Sequence, residues 1–125
     1  MRHDPGMALS LLIVDDHAGF RGFAHALFRA QGFDVAGEAE DGESALEQVQ
    51  LLRPDVVLLD VQLPGIDGFE VAWLLSRQVS PPRVVLTSSR DGADYGDRLR
   101  LAPVRGFIPK HELSGTTLSA LVRGL

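Results

Sequence analysis

The stretch from residue 56 to residue 68 constrains the fold more than any other. Val56, Val57, Leu58 and Leu59 run directly into the carboxylate of Asp60, and a loop carrying Pro64, Gly65, Asp67 and Gly68 follows. Four apolar residues in a row, two of them β-branched, read as a strand buried on both faces, as in the middle of a parallel sheet. Asp60 then stands at the carboxyl end of that strand, the edge where open α/β sheets bind ligands and do chemistry.

The rest of the chain supplies the matching elements. Leu9 to Val14 is a second apolar run, and it too ends in carboxylates, Asp15 and Asp16. Phe20, Phe23, Ala24, Leu27 and Phe28 recur at helical spacing, and the pattern stops near Gln31 and Gly32. A strand is expected over 33–39, then a helix opened at Asp41 and Gly42, buried through Ala45, Val49 and Leu52 and ended by Pro54. A helix over about 69–78 and a strand over 84–88 follow the central strand. Residues 91–102 are weakly helical, because Gly92 and Gly96 each cost about 1 kcal/mol relative to alanine. A brief strand at 106–109 and a last helix after Ser114 complete the pattern. Strands and helices alternating in this way predict an α/β fold, a doubly wound five-stranded parallel sheet with helices on both faces.

Composition narrows the class. A chain of 125 residues with 45% hydrophobic residues is expected to fold as one domain over 9–125, behind a loose leader at 1–8. The absence of cysteine excludes disulfides and thiolate metal sites. A net charge of -5 disfavours direct binding of nucleic acid. No apolar run is long enough for membrane insertion, and the first residues lack the apolar middle of a signal peptide. A soluble cytoplasmic protein is expected.

In a parallel sheet Asp15, Asp16, Asp60, Ser88 and Lys110 all gather along one edge. Clustered carboxylates repel, and the usual remedy is a hard divalent cation; an oxygen-lined, hydrated site suits Mg²⁺, with Mn²⁺ as a substitute. A carboxylate beside such a cation, a hydroxyl and an ammonium is suited to accept a phosphoryl group, with Asp60 as nucleophile.

Leu11 to His17, Val57 to Gly68, Leu86 to Arg90 and Gly106 to Lys110 together resemble the receiver domains of bacterial two-component response regulators, whose fold is flavodoxin-like. The resemblance covers residues 9 to about 122. It implies that Asp60 is both the phospho-acceptor and a metal residue, that Asp16 is a direct Mg²⁺ ligand and Asp15 a water-mediated one, and that the backbone carbonyl of Gln62 completes the protein ligands. It makes Lys110 the family's phosphoryl-contacting lysine and Phe107 its switch aromatic. The family's hydroxyl falls on Ser88, with Thr87 as the alternative. Ser88 is preferred because its offset to Lys110 matches and because Thr87 would point to the other face of the sheet. The implied donor is the phosphohistidine of a sensor histidine kinase or phosphotransfer protein, in a phosphorelay. The implied response is a changed affinity of the fourth helix, fifth strand and fifth helix for an output partner. Many receivers place proline after the lysine, whereas here Pro109 precedes Lys110 and His111 follows. With only residues 111–125 beyond the lysine, a single-domain regulator or an excised receiver is expected.

Plainer readings stand beside these. Two aspartates after a strand commonly cap a helix. His17, His25 and His111 read as surface or cap residues, and Asp67 with Gly68 as turn chemistry. If Ala72, Leu75 and Val79 form the buried stripe of their helix, Trp73 lies nearly opposite, with Leu74 beside it; such a patch suits a partner or a homodimer. Two rival functions are weighed. A phosphatase of the haloacid-dehalogenase type would place a second aspartate two residues after the nucleophile as general acid, where Gln62 stands. A flavodoxin-like cofactor binder would need a first loop that welcomes phosphate, which Asp15 and Asp16 would repel. A signalling switch rather than a turnover enzyme is therefore expected.

Overall fold

The computed structural model describes residues 8–123. The leader expected over 1–8 lies, but for Ala8, outside the described residues. In chain order the elements are β1 (Ser10–Val14), α1 (Ala18–Ala30), β2 (Asp34–Ala39), α2 (Gly42–Leu52), β3 (Val56–Asp60), α3 (Gly68–Ser76), β4 (Arg83–Ser88), α4 (Asp97–Leu101), β5 (Gly106–Pro109) and α5 (Gly115–Val122). A 3₁₀ turn, Gly92–Tyr95, leads into α4, and another, Lys110–Glu112, follows β5.

The strands form one sheet in the order β2-β1-β3-β4-β5, and every pairing is parallel. β3 is central and buried at all five positions, as its uninterrupted apolar run requires. Alternation along the strands divides the core in two. Leu11, Ile13, Val56, Leu58, Val85 and Ile108 pack on one side with Ala24 and Phe28 of α1 and Leu118 and Val122 of α5. Leu12, Val14, Val57, Leu59, Val84 and Leu86 pack on the other with Ala45 and Val49 of α2 and Val71, Ala72 and Leu75 of α3. Helices therefore cover both faces.

Local chemistry sets the ends. Asp41 caps α2 by accepting from the Ser44 amide at 2.7 Å, and the Ser44 hydroxyl accepts from the Asp41 amide in return. Ser114 and Thr117 form the same reciprocal cap on α5. Asp67 caps α3 by accepting from Glu70 N at 3.0 Å. Gly68 has no room for a Cβ, which would fall 2.8 Å from Val61 Cα, so α3 begins pressed against the end of β3.

Three expectations need correction. Leu52, expected in the buried stripe of α2, is exposed in its last turn, and Gly42 joins Ala45 and Val49 on the buried face instead. Helix α3 ends at Ser76, and Val79 lies beyond it, fully exposed. The buried face is completed by Gly68, Phe69 and Val71 instead. The 91–102 segment splits at Gly96, whose φ of +55° only glycine adopts readily, into the 3₁₀ turn and the five-residue α4. None of the described helices is long and apolar enough to cross a membrane.

Candidate functional site

Register assembles the site. Val14 pairs with Leu59, so Asp15 and Asp60 emerge side by side on the α1 and α5 face of the sheet. Both carboxylates are almost completely buried. Lys110, at the end of β5, reaches across: its Nζ lies 2.6 Å from Asp15 Oδ2 and 3.0 Å from Asp60 Oδ2. The same ammonium sits 4.2 Å from the centroid of the Phe20 ring, near the start of α1.

Two buried carboxylates and one ammonium leave a deficit of positive charge. Burial, and after it the neighbouring Asp15, push Asp60 up to about 6. Burial works on Asp15 in the same direction but is outweighed by hydrogen bonding to Asp60, Lys110 and the His17 amide, which holds it below the ordinary range. Burial would lower Lys110, and the two carboxylates reverse this and raise it. Asp60 Oδ1 accepts from the backbone N of Gln62 at 2.9 Å, and Asp15 Oδ1 from that of His17 at 2.8 Å. Asp15 Oδ2 has no well-formed hydrogen bond, only the ammonium of Lys110.

Asp16, at the mouth, is partly exposed, and His17 Nδ1 lies 3.1 Å from its Oδ1 and 3.2 Å from Asp15 Oδ1. His17 is the exposed N-cap residue of α1, as expected, and its ring also lies within reach of Asp15 and Asp16. An oxygen-rich donor set holding more carboxylate charge than Lys110 offsets fits a hard divalent cation. His25 and His111 stay outside it, paired with Glu38 and Glu112.

The two hydroxyls part company, and the facing expected from the sequence is reversed: in this structure Thr87, not Ser88, lies on the Asp60 face. Thr87 pairs with Asp60 in register, and its Oγ1 donates to the carbonyl of Ile108 at 2.6 Å. Ser88 is also fully buried, but on the opposite face, where its Oγ lies 2.7 Å from the Tyr95 hydroxyl and accepts from Arg90 N at 3.0 Å. Phe107 stands on that side too, its ring centroid 6.0 Å from that of Tyr95.

Residues 11–122 match the family model described as the response regulator receiver domain. The chain belongs to the response regulator receiver family. It is 34% identical over 118 residues to the response regulator GacA of Pseudomonas aeruginosa, covering 94% of this chain and 53% of that protein. It is 40% identical over 108 residues to a protein-glutamate methylesterase/protein-glutamine glutaminase of Anaeromyxobacter dehalogenans, covering 86% of this chain and 31% of the relative. Among solved structures, the response regulator domain of Thermotoga maritima CheB superposes with a TM-score of 0.76 at 29% identity, covering 93% of this chain and 94% of that one. A signal receiver domain assigned to NarL of Mycobacterium tuberculosis reaches 0.81 at 33% identity, covering 95% and 99%. The chain spans about half the length of the GacA regulators it matches.

As a receiver the molecule also carries features its motifs did not announce. Arg21 donates from Nη1 to the Asp15 carbonyl at 2.8 Å, bracing the acidic loop from α1. Trp73 and Leu74 are exposed as expected, and Trp73 lines a groove of about 450 Å³ with Phe69, Arg98 and Leu101.

Proposed function

We propose that Asp60 accepts a phosphoryl group from the phosphohistidine of a sensor histidine kinase or phosphotransfer protein. The observation that carries this reading is Lys110 bridging Asp15 and Asp60 at 2.6 and 3.0 Å in a pocket short of positive charge. Asp60 attacks phosphorus: a P–O bond forms to its carboxylate, the P–N bond to the donor imidazole breaks, and the electron pair returns to that ring. Lys110, already beside Asp60, pairs with a non-bridging phosphoryl oxygen. Asp15, Asp16, Asp60 and the Gln62 carbonyl would hold Mg²⁺, or Mn²⁺ in its place, and the cation would supply charge stabilisation to the phosphoryl oxygens. Ser88 leaves its present partner to donate to the phosphoryl group, and Phe107 responds.

The consequence is a changed binding face rather than turnover. Gln62 carries no proton to give a leaving group, so phosphate accumulates on the protein once per chain. The reading is tested by supplying a phosphomonoester: no sustained hydrolysis is expected, and Asp60-dependent turnover would overturn it. The exposed Trp73 and Leu74 are a docking patch for an output partner or a second copy; loss of partner binding or self-association in Trp73→Ala checks this.

A further inference from the structure

The segment from Gly92 to Leu101 is held to the molecule by few contacts. None of its residues in the 3₁₀ turn or in α4 is fully buried. Among the described residues its backbone hydrogen bonds outside the strands stay within 91–102, including Asp94 N to Asp91 O and Leu99 N to Gly96 O. Two side-chain polar contacts tie it to the rest, Arg98 to Asp67 at 2.8 Å on the surface and Tyr95 to Ser88 at 2.7 Å inside. The Tyr95 ring adds edge contacts to Phe69 and Phe107 at 5.6 and 6.0 Å. Gly96 follows Tyr95 immediately in its glycine-favouring conformation, so the anchor and the hinge are neighbours in sequence.

Ser88 cannot serve both sides of the sheet. A serine hydroxyl has one proton and two lone pairs. One lone pair of Ser88 already accepts from Arg90 N at 3.0 Å, and the bond to Tyr95 points away from the face that carries Asp60. If Ser88 is the donor, its only proton is in the Tyr95 bond; if Tyr95 is the donor, Ser88 must still swing its Oγ to the Asp60 face to reach a phosphoryl group, and the Tyr95 bond is left behind. Phe107, the aromatic on β5, has no hydroxyl with which to follow Ser88; Tyr95 does.

Resting on the phospho-acceptor reading, we propose that Tyr95 is a positioning residue of the switch: its hydroxyl holds Ser88 away from Asp60, and the loss of that bond frees 92–101. In the resting protein Ser88 and the segment stabilise each other. Once Ser88 engages the phosphoryl group, the segment keeps its ring contacts and the surface pair of Arg98 with Asp67 and loses its inner polar anchor.

The test compares the full chain with Tyr95→Phe, Ser88→Ala and the double variant, following amide exchange in 92–101 and phosphoryl uptake from acetyl phosphate with Mg²⁺ by intact mass. Tyr95→Phe keeps the ring stack. It is expected to speed exchange in the unmodified segment about three- to tenfold, the factor one net hydrogen bond supplies. Ser88→Ala, which also releases Arg90 N, should speed exchange at least as much, and the double variant no more than Ser88→Ala, because the Tyr95 bond is already gone. Phosphorylated wild type should approach the exchange of unmodified Tyr95→Phe, and Tyr95→Phe should gain phosphoryl mass faster than wild type. Additive effects in the double variant, or wild-type exchange in Tyr95→Phe, would overturn the proposal while phosphorylation still proceeds. No mass gain in wild type would defeat the phospho-acceptor reading itself, and this proposal with it.

Discussion

Thr87 is the register partner of Asp60, yet its hydroxyl is turned across to the Ile108 carbonyl at 2.6 Å, joining β4 to β5. Adjacent residues of one strand thus divide the work, Thr87 bonding within the sheet and Ser88 facing Tyr95. Thr87→Val should lower stability by about 1–2 kcal/mol in chemical denaturation, since a buried hydrogen bond is lost and a carbonyl orphaned. It should leave phosphoryl uptake on Asp60 close to normal. Ser88→Ala should instead lower the yield of phosphorylated protein about tenfold, or about 1.4 kcal/mol of barrier. The opposite pattern would make Thr87 the phosphoryl-contacting hydroxyl.

Removing charge from the buried pair should stabilise the metal-free protein. Asp60 has a folded value of about 6 against an ordinary 3.8. Between those values the folded state holds more protons than the unfolded chain, so stability falls as pH rises through the window and is level above it. Asp60→Asn removes the charge and keeps the shape. At pH 7.5 it should exceed wild type by about 1–3 kcal/mol, with the gap closing below about pH 4. Denaturant melts across that range check the sign.

Divalent cation should reverse the same penalty. At ten times its dissociation constant, Mg²⁺ is expected to stabilise wild type by about 1.4 kcal/mol, seen as a melting shift of a few degrees that chelator abolishes. Asp16→Ala should lose the shift, because Asp16 lies at the mouth of the pocket, partly exposed, beside buried Asp15. An undiminished shift in that variant would remove Asp16 from the ligand set.

Gly68 ties the start of α3 to the phospho-acceptor strand. A Cβ there would meet the Asp60 carbonyl and Val61 Cα, neither of which moves without displacing Asp60. Gly68→Ala should therefore lower stability by about 1–3 kcal/mol and also slow phosphoryl uptake. Unchanged uptake in a destabilised variant would confine Gly68 to packing.

The legible parts of the molecule are those in which one residue type has one physical use. Val56 to Leu59 could only be a two-sided strand, and that run placed Asp60 and the sheet edge around it. The carboxylates and Lys110 were visible because charge at strand ends is costly without a purpose. What stayed hidden depends on a third dimension. Tyr95 lies in a glycine-broken stretch without periodicity, and nothing in its spacing reports that its hydroxyl meets Ser88. Phe20 and Arg21 read as helix residues, and only the packing of α1 on β1 brings them to Lys110 and Asp15. Val79 fits the helical period of α3 on paper, but the helix ends at Ser76 before the period reaches it.

The most direct measurement is intact mass after incubation of the purified chain with acetyl phosphate and Mg²⁺. A gain of one phosphoryl group in wild type, absent in Asp60→Asn and abolished when chelator is added, is the expected result. No gain in a folded, metal-bound wild type, or an equal gain in Asp60→Asn, would contradict the assignment of Asp60 as the phospho-acceptor.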